Sequence, residues 1–203
     1  MRRHAPWILV LAIASFGLLA VPAMAAEAAA QDKKEEKGHH EIKLAEGALT
    51  MQVGKVWDKK EPRVRIIEYE FAVPAAEGDE QAGRVTLMGA GGSIEANIDR
   101  WFGQFTQPDG KSTEDEAKVE EKTIAGQKVH LVDVSGTFSD RRGPFAPAVK
   151  RPGYRMLAAI IETKGRGNYF VKFYGPEKTV KKNEKVFHDM INSLAVKEVK
   201  EEK

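Results

Sequence analysis

The sequence predicts an α+β fold, an antiparallel β-sheet with amphipathic helices laid against it. Three observations predict it. Short runs of alternating or β-branched residues recur along the chain, several of them joined by two- to four-residue turns. Two segments instead carry apolar residues at helical spacing. No repeat and no parallel βαβ rhythm interrupts them.

The first strand is expected over Thr50–Trp57, and the most regular one over Val64–Val73, VRIIEYEFAV, where Arg65, Glu68 and Glu70 interleave with Ile66, Ile67, Tyr69 and Phe71. Arg84–Met88 is a short strand running into glycines. A helix follows: Ile94, Ile98, Trp101, Phe102 and Phe105 trace one apolar face, Ser93 suits the N-cap, and Pro108 and Gly110 lie past its end. Lys118–Ile124 and Lys128–Phe138 flank Ala125-Gly126, a hairpin pattern, and Arg155–Thr163 and Tyr169–Tyr174 flank the turn Lys164-Gly165-Arg166-Gly167. Strands joined this closely pair antiparallel. A second helix starts near Pro176 and sets Val180, Phe187, Met190, Ile191 and Leu194 on one side.

The ends of the chain read differently. Residues 1–25 have the form of a secretory signal: Arg2 and Arg3, an apolar run from Trp7 to Val21, then Ala23-Met24-Ala25 ahead of a cleavage point before Ala26. The run is short for a membrane span, so no transmembrane segment is expected after cleavage; an uncleaved anchor is the alternative. The protein is therefore expected to be exported, periplasmic or extracellular. Residues 26–47 are rich in charge and alanine, with Ile42 and Leu44 as their only large apolar side chains, and predict a flexible leader. One domain is expected over 48–195 and a charged tail over 196–203, with the tail a candidate to prolong the last helix.

Charge excludes one class of function. With Arg2 and Arg3 removed, the 32 Lys+Arg fall to the number of Asp+Glu, 30, so the mature chain is neutral. A globally basic nucleic-acid binder is not expected. This sequence has no cysteine, which excludes thiol catalysis, disulfides and lipid attachment through cysteine.

The stretch GAGGSIEANIDRWFGQF, residues 89–105, resembles a phosphate loop only at first sight. A dinucleotide fingerprint requires a third glycine where Ile94 stands, and a P-loop requires a lysine that is missing. Glu95 and Asp99 would also oppose a phosphate. The glycines are expected to make a tight strand-to-helix connection.

Several residues are weighed for chemistry. His39-His40-Glu41 offers three potential metal ligands, too few in a flexible leader to fix a geometry, so no metal or other cofactor is expected, with weak metal binding through this leader as an alternative role. His130 is placed at the core edge and His188 beside the last helix's apolar stripe. Asp133 lies within VHLVDVSG on the face of Val129, Leu131 and Ser135. It is either an acid or base of a hydrolase-type enzyme acting on a small ligand or, more simply, an acceptor for an arginine. The best functional candidate is the segment SDRRGPFAPAVKRPG, residues 139–153, expected as a long basic loop. Arg141, Arg142, Lys150 and Arg151 outweigh Asp140, Phe145 offers an apolar contact, and Tyr154 and Arg155 follow. These seven residues, Arg141, Arg142, Phe145, Lys150, Arg151, Tyr154 and Arg155, form the expected partner-binding surface. An acidic protein or an anionic envelope component would suit it.

The order Trp57, then RVRIIEYEFAVP, then GGSIEANIDRWFGQF, then GYRMLAAIIE, NYFVKFYGPEKTV and FHDMINSL resembles a group of uncharacterised secreted bacterial proteins that look like members of the Mog1/PsbP-like fold. The resemblance spans about residues 48–195. It implies an antiparallel sheet packed between α-helices, and an accessory or binding role without catalysis. No functional residue of the family maps onto a position here.

Overall fold

The computed structural model describes residues 38–141, 146–163 and 165–197. The expected signal over 1–25 and the first part of the expected leader lie outside these residues, as do Arg142, Phe145 and the end of the expected tail. No helix among the described residues is long and apolar enough to cross a membrane.

The chain runs β1 (His39–Leu44), a 3-10 turn (Ala45–Gly47), β2 (Leu49–Gly54), β3 (Asp58–Lys60), β4 (Tyr69–Val73) and β5 (Gly83–Ala90). Next come α1 (Ile94–Phe102), β6 (Phe105–Thr106), α2 (Thr113–Glu116), β7 (Lys118–Ile124) and β8 (Gln127–Asp140). It ends with β9 (Val149–Thr163), β10 (Gly167–Pro176), α3 (Glu177–Asn192) and β11 (Ala195–Val196). The large sheet has eight strands in the order β3-β4-β5-β10-β9-β8-β6, with β7 also on β8, and every pair is antiparallel. A small antiparallel sheet, β1-β2-β11, accompanies it.

Strand alternation divides the apolar residues between two cores. Along β9, Met156, Ala158 and Ile160 join Ile98 and Trp101 of α1, whereas Leu157, Ala159 and Ile161 join Val180, Phe187, Met190 and Ile191 of α3. Both faces of β9 are covered, which is why its sequence reads as a continuous apolar run. The small sheet adds Ile42, Leu44, Met51 and Val53 to the α3 side. The expected α+β arrangement, an antiparallel β-sheet packed between α-helices, is the one observed.

Side-chain hydrogen bonds fix the helices. Trp57, fully buried, donates from Nε1 to Asn183 Oδ1 of α3 at 3.0 Å, and its ring packs 5.5 Å from that of Phe173. On α1, the Ser93 hydroxyl accepts from the Ala96 amide at 3.2 Å. Asn97 donates to the carbonyls of Gly91 and Ser93, at 3.1 and 2.8 Å, and so closes the glycine turn from inside. Gly92 takes φ +93, which only glycine adopts freely. The turn is architectural, as expected, and β5 before it pairs antiparallel on both sides.

Four expectations are corrected. The leader does not run to Gly47: His39–Leu44 forms β1, and Ile42 and Leu44 are each 1% exposed. Pairing with β2 lets this charged stretch bury its two large apolar side chains on one face, with the charges on the other. The strand expected over Val64–Val73 begins only at Tyr69. Lys60 pairs with Glu70, so the residues between them must turn the chain, and Ile66 is left 65% exposed. After α3 the chain does not prolong the helix but adds β11 to β2. The expected long loop over 139–153 is mostly hairpin, because β8 runs to Asp140 and β9 begins at Val149. A one-residue register shift between Gly136 and Phe138 lets the two strands bend and continue past the end of the core.

Candidate functional site

That correction scatters the expected basic surface. Arg155 faces α3, donating to both carboxylate oxygens of Asp133 at 2.8 Å and to Glu184 at 2.8 Å. The two carboxylates hold its guanidinium charged, and Asp133 is thereby an acceptor in a structural network. Asp133 does face the side of Val129 and Leu131, but it lines neither of the two clefts described below. Tyr154 points to the opposite face, stacks on Phe138 at 6.0 Å and donates to Gln81 at 2.6 Å, and burial raises its hydroxyl pKa. Arg151 binds Asp140 at 3.2 Å. Lys150 is exposed on β9. Of the expected surface residues that are described, Arg141 is the one that lines either of the clefts described next.

The larger cleft, of about 500 Å³, lies between the end of α1 and the α1-side face of the sheet. Its floor is Lys172 of β10, with Tyr174 two residues on and Arg84 and Thr86 on neighbouring β5. Gly103 and Gln104 close one side, and Phe138 to Arg141 another. Ile66 and Ile67, displaced from the expected strand, form an apolar lip. A smaller cleft of about 290 Å³ between α1 and α2 carries Asp99 and Glu114 and is the acidic neighbour.

The two cations on the floor of the large cleft, Arg84 and Lys172, are in different electrostatic situations. Arg84 is paired: its Nε and Nη2 donate to the Glu70 carboxylate at 2.9 and 2.8 Å, and Nη1 donates to the Tyr174 hydroxyl at 2.7 Å. These bonds hold Glu70 below the usual carboxylate range and keep Arg84 charged. Lys172 has no such partner. No carboxylate lies within 4.0 Å of its Nζ among the described residues, where the amine donates only to the neutral Gln104 Oε1, at 3.0 Å. Its Nζ sits 5.4 Å from the Trp101 ring centroid and 5.8 Å from that of Tyr174. Aromatic faces favour the cation modestly. Desolvation, with Arg100 and Arg84 adding repulsion, outweighs them and lowers the pKa to about 7. The cleft therefore holds one amine that can be charged or neutral near neutral pH.

Sequence reasoning reached Arg141 but missed Lys172, Arg84, Gln104 and Tyr174. One signal was available: in NYFVKFYGP, Lys172 shares a strand face with Phe170 and Tyr174, inside a run otherwise read as core. A lysine there must either snorkel or lie in a cleft. His39 and His40 point to opposite faces of β1, as a strand requires, and no three His, Asp or Glu side chains converge among the described residues. His130 is half-buried and bonds Glu162 at 2.5 Å.

No family model matches the sequence, and no curated protein matches it. Among solved structures the chain is similar to cyanobacterial PsbP from Synechocystis sp. PCC 6803, at 10% identity over 79% of this chain and 94% of that one, TM-score 0.48. It is similar to the Ran-binding protein Mog1p of Saccharomyces cerevisiae, at 12% identity over 79% and 96%, TM-score 0.45. It is also similar to LpqN of Mycobacterium tuberculosis, a protein involved in cell envelope biogenesis, at 7% identity over 78% and 90%, TM-score 0.48. Both names carried by the sequence resemblance are thus among the similar structures. Likeness at this level transfers no function or partner to this chain.

Proposed function

We propose that this chain is an exported accessory domain without catalysis in that role, and that it binds an acidic partner protein at the Lys172 cleft and the adjoining basic strand ends. The observation that carries the reading is the amine of Lys172, set in a concave site with no carboxylate beside it among the described residues. An acidic group entering the cleft would supply the missing countercharge and shift the amine to its charged form. Arg141 stands on the rim, and Lys150 lies on β9 opposite Ser139, itself a cleft residue, so both can extend the contact. Arg142 and Phe145, between them in the chain, belong to the same proposed surface. Tyr154 packs against Phe138 of the cleft wall, and Arg155 lies behind on the α3 face of the sheet, bonded to Glu184. The form of residues 1–25 supports export. A hydrolytic site at Asp133 finds no support in the geometry, since Arg155 occupies both of its oxygens.

The test is affinity capture from envelope extract with three proteins: the mature chain, a Lys172→Met/Arg141→Ala variant, and an Asp189→Ala/Lys185→Ala variant altered on the exposed α3 pair. A partner kept by the first and third but lost by the second supports the reading. A partner bound equally by all three, or an anionic polymer captured in place of a protein, overturns it.

A further inference from the structure

We propose that Lys172 is a carbonyl-reactive lysine, and that the cleft above it admits a small aldehyde or ketone carrying a negatively charged group. The proposal goes beyond partner binding and does not depend on it.

Three features of the site point to this chemistry. The first is access on a rigid base. Lys172 lies on β10, hydrogen-bonded between β5 and β9, and its side chain lines a cleft large enough for a small ligand. The second is that no carboxylate lies within 4.0 Å of the amine among the described residues. Its neighbours from every packed element are Gln104 after α1, Trp101 and Arg100 on α1, Arg84 on β5, and Tyr174 on its own strand. Asp140, on the cleft wall, is bound to Arg151. With a pKa of about 7, about half of the amine is free base at pH 7, against roughly 1 in 3,000 for an unperturbed lysine. A lysine desolvated beside other cations is an activated nucleophile for carbonyl carbon. The third is charge selection: Arg141 lines the same cleft and favours a ligand with an anionic group, whereas the charge of Arg84 is offset by Glu70.

The reaction is an ordinary condensation. The free-base lone pair of Nζ attacks the carbonyl carbon, and the C=O π pair moves to oxygen, which takes up a proton. The resulting carbinolamine expels water as the nitrogen lone pair forms the C=N bond, and the nitrogen loses its remaining proton. Amine and carbonyl become imine and water, with no oxidant or reductant.

The experiment uses the mature chain with limiting pyridoxal 5′-phosphate, and with pyridoxal as its uncharged counterpart, at pH 6 to 9.5. Borohydride reduces the imines, and peptide mass spectrometry reads each lysine. Lys172 is expected to carry at least tenfold more adduct at pH 7 than the median surface lysine, with half-maximal labelling near pH 7 and less labelling by pyridoxal. Adduct spread evenly over surface lysines, or none on Lys172, overturns the proposal. Equal labelling by the two aldehydes overturns the charged-group part of it.

Discussion

Raising the pH from 6.5 to 9.5 is expected to stabilise this protein through Lys172. The folded amine has a pKa of about 7, below the 10.5 of a free lysine, because burial and two arginines oppose its charge. Below pH 7 both folded and unfolded chains hold the proton, and the fold bears the full cost of a buried cation. Between about 7 and 10.5 the unfolded chain binds more protons than the folded one, so stability rises with pH at up to about 1.4 kcal/mol per unit. Integrated from 6.5 to 9.5, the one group contributes about 3 kcal/mol. Urea unfolding at pH 6.5, 8.0 and 9.5 measures it, with Lys172→Met as reference so that other titrating groups cancel. The variant should be more stable than the native chain at pH 6.5, and the difference should narrow by about 3 kcal/mol by pH 9.5. Parallel curves for the two proteins would refute the reasoning, since they would place Lys172 in water or beside a countercharge.

Two further outcomes follow from the packing. Gly136, at the register shift of β8, has φ +144, and a Cβ there would stand 2.9 Å from the Thr106 carbonyl oxygen. Gly136→Ala should cost about 2–3 kcal/mol, read as a lower urea midpoint, and loss of the β6 pairing should appear as faster amide exchange at Phe105 and Thr106. Asn183→Ala leaves the buried Trp57 indole N–H without its acceptor and should cost about 1–3 kcal/mol, with a changed Trp57 environment in near-ultraviolet circular dichroism. A midpoint within error of the native one would contradict either account.

Much of the fold was legible because its signals are local. Lys118–Ile124 matches β7 at both ends, and Ala125-Gly126 makes the turn after it, with φ +50 and +76. On α3 the apolar stripe buries as read, at Val180, Phe187, Met190 and Ile191; on α1 Ile98 and Trp101 bury and Ile94 and Phe102 do so in part, but Phe105, read as the end of that stripe, lies beyond the helix in β6. The glycine turn was correctly taken as architecture, since its two hydrogen bonds to Asn97 come from within six residues.

The misreadings share a cause. Composition made residues 26–47 look unable to fold, yet β1 needed only a partner strand, and β2 supplies one. Val64–Val73 alternates well enough for a strand, but the pairing of Lys60 with Glu70 forces its first half into a turn. In both cases the deciding contact lies outside the window that the pattern describes.

The site shows the same division more sharply. The sequence by itself determined that cations gather near 139–155 and that Asp133 lies on an apolar strand face. Only the tertiary structure decided which charges neutralise one another: Arg155 with Asp133 and Glu184, Arg84 with Glu70, Arg151 with Asp140. Lys172 is left unpaired among the described residues because its neighbours across the sheet and on α1 are arginine, glutamine and aromatic rings. Burial and pairing are properties of neighbours in space. Periodicity tells which side of the sheet a side chain takes, and only the assembled layers tell what it meets there.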